Sequence, residues 1–269
     1  GCWFWCRCRG CLLLCLSGRL FLDVPLYLSL LLQLRIEKKL LIAGLRCALQ
    51  LALVGLVLTK LFELVSPWWT GLAALAMILF AGREIMARQE RGFQPVWAYG
   101  IGTSAMLMAA ALVTVFALTT QVKADPWYDP RYALPLLGMI LGNTMTGIAL
   151  GLQRLTEGAQ QQRAGIEALL CLGATRRSAL LPVTRQALTT ALMPIINSLA
   201  ATGLVSLPGM MTGQILAGVE PLEAVKYQLM IMFMIAGGTT LGAVTAVFVG
   251  VYRLTDSRAR LRLDRLAGD

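Results

Sequence analysis

From Tyr227 to Tyr252 the chain carries no charged residue, and neither does Gln186 to Val219. A bilayer is the natural setting for such stretches, since about 20 consecutive apolar residues form a helix that spans its hydrocarbon core. Charged residues make up only 14% of the whole chain, against about 25% in a typical soluble domain. A membrane β-barrel would instead alternate in segments of about ten residues, and no such alternation is present. The expected fold class is all-α, a polytopic transmembrane helical bundle.

The apolar spans fall at 20–34, 40–62, 68–82, 97–120, 133–152, 186–206 and 226–252. Arg19 and Asp23 crowd the first, and each charge at a helix centre costs about 2.5–3.5 kcal/mol. Seven spans are expected, or six if the first does not insert. Residues 26–253 then form the transmembrane domain and 254–269 a basic cytoplasmic tail. Residues 1–25 stand apart as an unplaced, cysteine-rich start that need not be native to the domain. Five of the seven cysteines lie there, and Cys6, Cys8, Cys11 and Cys15 match no zinc-ligand spacing. No metal site is assigned from them.

A net charge of +10 at 269 residues does not imply nucleic acid here, and none is expected as a partner. The basic residues gather in alternate loops: Arg35, Lys38 and Lys39; Arg83, Arg88 and Arg91; Arg154, Arg163, Arg176, Arg177 and Arg185; and the tail from Arg253 to Arg265. Lys and Arg favour the cytoplasmic side. That places the protein in the cell (inner) membrane with its C-terminus in the cytoplasm. Histidine is absent, which removes the usual neutral-pH base. No phosphate-binding G-x-x-x-x-G-K-[ST] occurs, so an ATP-driven process would need its ATPase, with ATP and Mg, on another chain. No cofactor is expected on this one.

Three segments depart from plain apolar helix. The first, 153–185, is too polar to span. Ile166, Leu169, Leu170 and Leu172 give it an apolar side, Gly173 breaks it, and Thr175 is a candidate N-cap for a second helix. A short helix, a glycine turn and a restart make a knob suited to helix-in-groove docking; an amphipathic interfacial helix is the alternative. The second, "LPLLGMILGNTMTG" (134–147), offers Gly138, Gly142 and Gly147 as small contact faces. It also puts Asn143 and Thr144 at membrane depth, either as interhelical glue or along a pathway.

The third, "ALMPIINSLAATGLVSLPGMMTGQILAG" (191–218), holds Pro194 and Pro208, each lacking a backbone donor. Ser198, Thr202 and Ser206 recur every four residues on one helical face, with Asn197 beside it. Pro208 and Gly209 form the expected break, and Gly213 and Gly218 the expected close approaches. A discontinuous helix lining a polar route is one reading; a packing kink is the other. On the first reading Asn143, Thr144, Asn197, Ser206, Pro208, Gly209, Met210, Met211, Thr212, Gly213 and Gln214 line the route. Met230, Met232 and Met234 point to different sides of a helix and read as filler.

"GLVSLPGMMTGQILAG" (203–218) and "PLEAVKYQLMIMFMI" (221–235) follow "GMILGN" (138–143) and "LGAT" (172–175) in order. Over about residues 35–253 the chain thereby resembles the iron-export ABC permease family, which includes plant aluminium-tolerance permease subunits. In "EALLCLGAT" (167–175), Glu167, Ala168, Gly173, Ala174 and Thr175 resemble the E-A-A-x-x-x-G coupling loop that ABC permeases present to their ATPase, with Leu169 in place of the second alanine. The resemblance implies an exporter of iron or another metal ion that works with an ATP-binding cassette ATPase subunit. It further implies a second copy of the permease. An ABC permease for a non-metal solute and an ion-coupled secondary transporter are the rival readings.

Overall fold

The computed structural model describes residues 37–64, 66–87, 93–122, 128–256 and 260–266. The cysteine-rich start and the first span at 20–34 lie outside these residues. The chain divides into two units, Gly1–Glu63 and Leu64–Asp269. In the first, helix α1 (Glu37–Leu64) contains an apolar stretch, Leu40–Glu63, long enough to cross a membrane.

The second unit is built from α2 (Pro67–Ala87), α3 (Pro95–Phe116), α4 (Pro130–Gln161), α5 (Arg163–Cys171), α6 (Arg176–Ala201), α7 (Gly209–Leu216) and α8 (Pro221–Leu254). With α1, the helices α2, α3, α4, α6 and α8 bring the candidate spans to six among the described residues. Helix is the regular structure of those residues, accompanied by isolated β-bridges. Proline opens α2, α3, α4 and α8; its fixed φ suits the first turn, where its missing donor is not needed. A π-helical turn, Ala117–Val122, continues α3.

Helix α4 lies at the centre, packed by α8, α6, α2 and α3. Leu137, Ile140, Ile148, Leu152 and Leu155 are among its buried residues. In a bilayer, lipid is as apolar as leucine, so helices associate through close packing of small residues. A methyl group on Gly147 would lie 2.8 Å from Thr239 Cγ2 and 3.2 Å from the Ala191 carbonyl. One on Gly242 would lie 2.5 Å from Thr144 Cγ2, and one on Gly250 2.8 Å from Leu155 Cδ2. These contacts draw α4, α6 and α8 together. Of the other glycines expected at contact faces, Gly138 meets Met77 Cε at 3.3 Å, while Gly142 has open space.

Several helices outrun their expected spans. Helix α4 continues to Gln161 and α6 begins at Arg176, ten residues before the expected 186. Charge marks where a helix leaves lipid, not where its hydrogen bonding ends. Residues 260–266, within the segment set apart as a basic tail, fold back on the bundle. Arg262 N–H donates to the Leu254 carbonyl at 2.8 Å and Gln94 N–H to the Arg265 carbonyl at 3.1 Å. Leu266 and Phe93, bridged to one another, are buried. Arg265 Nη1 donates to the Arg253 carbonyl at 2.8 Å, and the Arg253 guanidinium lies 3.8 Å from the Trp97 ring centre.

Candidate coupling helix and translocation segment

At one end of the bundle, Gln162 alone links α4 to the nine-residue α5. Ile166 is 3% exposed and Leu170 is partly buried against the core, because positions four apart share a helix face. Leu169 and Leu172, expected on that same apolar side, are instead exposed, Leu172 at 84%. They are three positions apart and share an adjacent face. The helix therefore has one apolar edge turned in and a second turned out.

The turn after α5 follows from hydrogen-bond geometry. Ala174 N–H donates to the Leu169 carbonyl and Gly173 N–H to the Leu170 carbonyl, at 3.0 and 3.1 Å. That crossed pair is the Schellman arrangement, whose closing residue sits in the left-handed region. Gly173 does so with φ +87°, where a β-carbon would be strained. Thr175 then caps α6, its hydroxyl accepting from Ser178 N–H at 3.3 Å. Glu167 receives Arg163 Nε–H at 2.9 Å along α5, and Ala168 is exposed. Glu167, Ala168, Gly173, Ala174 and Thr175 thus lie together on one knob. Arg176, the first residue of α6, lies over the Tyr252 ring of α8 at 5.3 Å.

In the third polar segment, helix breaking starts earlier than Pro208. α6 ends at Ala201, and Thr202 donates from both its N–H and its hydroxyl to the Ser198 carbonyl, at 3.0 and 2.7 Å. Gly203 N–H then donates to the Ser206 carbonyl at 2.9 Å, closing a small loop. Ser206 therefore leaves the helical face expected for Ser198 and Thr202. Pro208 is the N-cap of α7, and its carbonyl accepts from Thr212 N–H and hydroxyl at 3.0 and 3.1 Å. A second Schellman turn, with Gly218 at φ +90°, ends α7 and reverses the chain into α8. The eight-residue α7 packs against α8 and has no fully buried residue.

The expected close approaches at Gly213 and Gly218 are not seen, and Gly209 is equally open: a methyl group at any of the three meets nothing within 4 Å. Ser206, Gly209, Met210 and Gly213 are exposed, and Met211, Thr212 and Gln214 half-buried. Asn197 is exposed on α6, and exposed Asn143 donates from Nδ2 to the Met139 carbonyl at 2.9 Å. Thr144 is completely buried against Gly238 and Gly242, its hydroxyl without a partner. Those glycines lie ten or more residues beyond Gln228 on α8, about 15 Å further along the helix. Thr144 and the helix α7 thus both meet α8, while Asn143, Asn197 and Ser206 are exposed. Gln228, 7% exposed on α8 with its side-chain oxygen unpartnered, was not marked by the sequence reading; its signal is a lone amide in an otherwise uncharged apolar run. Among the described residues no three His, Cys, Asp or Glu side chains gather in a way that could hold a metal ion.

Residues 13–255 match the uncharacterised protein family UPF0014. The UPF0014 membrane protein slr1647 of Synechocystis is 40% identical over 224 residues, covering 82% of this chain and 84% of that protein. Protein ALUMINUM SENSITIVE 3 of Arabidopsis thaliana is 36% identical, covering 76% and 72%. The probable iron export permease protein FetB of Escherichia coli is 30% identical, covering 87% and 88%. No solved structure matches. The resemblance carried by the ordered motifs holds across most of the chain, and this polytopic membrane protein belongs to the UPF0014 family.

Proposed function

We infer that this permease is the membrane-spanning subunit of an ATP-binding cassette transporter that exports iron or another metal cation. Its ATPase is a separate chain that binds ATP and Mg. Two permeases pair with two ATPases in the cell membrane, and the C-terminus and α5 face the cytoplasm. The observation that carries this reading is α5 itself. A nine-residue helix, pinned inward by Ile166 and stopped by Gly173, turns Leu169 and Leu172 outward. Such an apolar edge on a short, rigid helix fits a groove on a partner. The FetB name supports iron as the cargo.

The test is reconstitution with an ATPase partner in vesicles, presented with a panel of metal cations and organic anions. Metal-stimulated ATP hydrolysis and metal transport are expected, both lost in Leu172→Glu while the permease still inserts. Transport that proceeds without an ATPase, or organic anions as the only cargo, would overturn the reading.

A further inference from the structure

Two asparagines stand exposed within spanning helices, Asn143 on α4 and Asn197 on α6. The two helices pack antiparallel. A methyl group on Gly158 would meet Val183, one on Gly151 the Ala187 carbonyl, and one on Gly147 the Ala191 carbonyl. Continuing that way, Asn143 lies four residues past Gly147 and Asn197 six past Ala191, about 6 and 9 Å at 1.5 Å per residue. The two amides therefore sit within about 3 Å of one depth, on neighbouring helices. Gly142, exposed beside Asn143, has open space, and half-buried Thr190 shares the Asn197 face of α6.

Hydrocarbon cannot satisfy this face. Asn143 Nδ2 donates to the Met139 carbonyl at 2.9 Å, which leaves its amide oxygen unmet. Among the described residues Asn197 makes no side-chain hydrogen bond. Lipid offers neither donor nor acceptor, so such groups turn toward protein or a water-filled path. An amide carries both donors and an acceptor and so complements itself. A two-fold interface requires that property, because each copy presents the same patch to the other. Glycine, threonine and asparagine are also the residues that join helices in membranes. Helix α1 is a poorer match, for between Arg46 and Lys60 it carries a single amide, Gln50. We propose that a second copy of this chain covers the α4–α6 face, with Asn143 and Asn197 meeting it across a two-fold axis. The proposal rests on the reading that two permeases pair, and names the surface through which they do so.

Cross-linking in membranes tests it. Asn143→Cys and Asn197→Cys are made singly in the full chain with its seven cysteines replaced by serine. Each should give a covalent dimer with a short bifunctional thiol reagent. Phe233→Cys, exposed on the other side of the bundle beside Val113 and Phe116 of α3, should stay monomeric. Light scattering in mild detergent gives the mass independently. A dimeric mass without cross-linking at either asparagine position, or with equal cross-linking from Phe233→Cys, overturns this surface and leaves the pairing intact. A monomeric mass with no covalent dimer from any of the three ends the pairing as well. Asn143→Leu and Asn197→Leu alter exposed positions, and each should weaken dimerisation about threefold to tenfold. Asn197→Gln keeps the amide and should stay closer to wild type. Leucine variants that dimerise as tightly as wild type would overturn the role of the amides.

Discussion

Glycine serves opposite purposes in the α4–α6–α8 core and in the α7 segment. In the core, Gly147, Gly242 and Gly250 are contact surfaces, each with another helix's side chain within 2.8 Å of where a methyl would go. In α7, Gly209 and Gly213 have nothing within 4 Å. The first set makes the bundle possible by letting backbones approach, the second leaves space beside a short helix. The same residue in the same bilayer is thus a packing device in one place and an opening in the other. Substitutions separate the two.

The largest effect is expected in the core. Gly242→Leu drives a branched side chain into Thr144, and overpacking of this kind costs about 1–3 kcal/mol or more. The protein should express poorly and unfold at a lower temperature in detergent. Gly237→Leu, on the same helix in open space, is the control and should unfold close to wild type. Gly250 would mislead as a control, since Leu155 already occupies its side. Equal behaviour of Gly242→Leu and Gly237→Leu would remove the distinction between the two regions.

The next effect is functional. Gly209→Leu should leave the unfolding temperature near that of wild type, within the ±0.5 kcal/mol usual for changes that disturb no packing, while cutting metal transport severely. A thiol placed at Thr212 should react with a small water-soluble reagent, more slowly when transported metal is present. An inert thiol together with normal transport by Gly209→Leu would reduce α7 to a packing kink.

How much of this was readable beforehand follows from what enforces each feature. The bilayer dictates long uncharged runs, so α1, α2, α3, α4, α6 and α8 were legible from composition alone. Gly173 and Thr175 were legible because a left-handed turn and a hydroxyl cap have few sequence solutions. The extent of the helix that Thr175 caps was not: it runs unbroken through Arg176, Arg177 and Arg185 into the span expected from 186. The break before α7 was placed at Pro208 because proline is the obvious helix breaker. In the fold, Thr202 ends α6 with its own hydroxyl and Gly203 turns the chain, so the break opens earlier. Nor did periodicity reveal that residues 260–266 dock onto the bundle. In hindsight Leu261, Leu263 and Leu266 were apolar residues set among arginines, and Leu266 is buried.

A moderate effect is expected at the coupling knob. Gly173→Val forces a β-branched residue to φ +87°, where left-handed backbone costs about 1–2 kcal/mol. That is small against the stability of the bundle, but it falls on the one turn that aims α5. The variant should insert normally and lose stimulation of its ATPase; Gly173→Ala should lose less. Full stimulation in Gly173→Val would mean that α5 does not carry the coupling.

The smallest effect belongs to the tail, where an exposed ion pair shapes the segment that backbone hydrogen bonds and Leu266 dock on the bundle. Arg262 Nε and Nη2 both donate to the Asp264 carboxylate at 2.8 Å. That hydrogen bonding, first among the causes, holds the Asp264 pKa below its ordinary value. A carboxyl whose pKa is depressed by folding contributes stability above its unfolded value and loses it as pH falls through the folded one. Docking of residues 260–266 should therefore be intact at neutral pH and loosen in acid. The pair is exposed to solvent, so the change should be modest and should diminish with added salt. Hydrogen exchange at the Gln94 amide reports it directly, because that N–H is held by the Arg265 carbonyl. After correction for the intrinsic pH dependence of exchange, its protection should fall on acidification in the wild type. In Asp264→Asn the protection should begin lower and change little with pH. If instead both proteins keep the same protection across the acid range, the Phe93 and Leu266 contact alone holds the tail, and apolar packing governs there as it does in the glycine core.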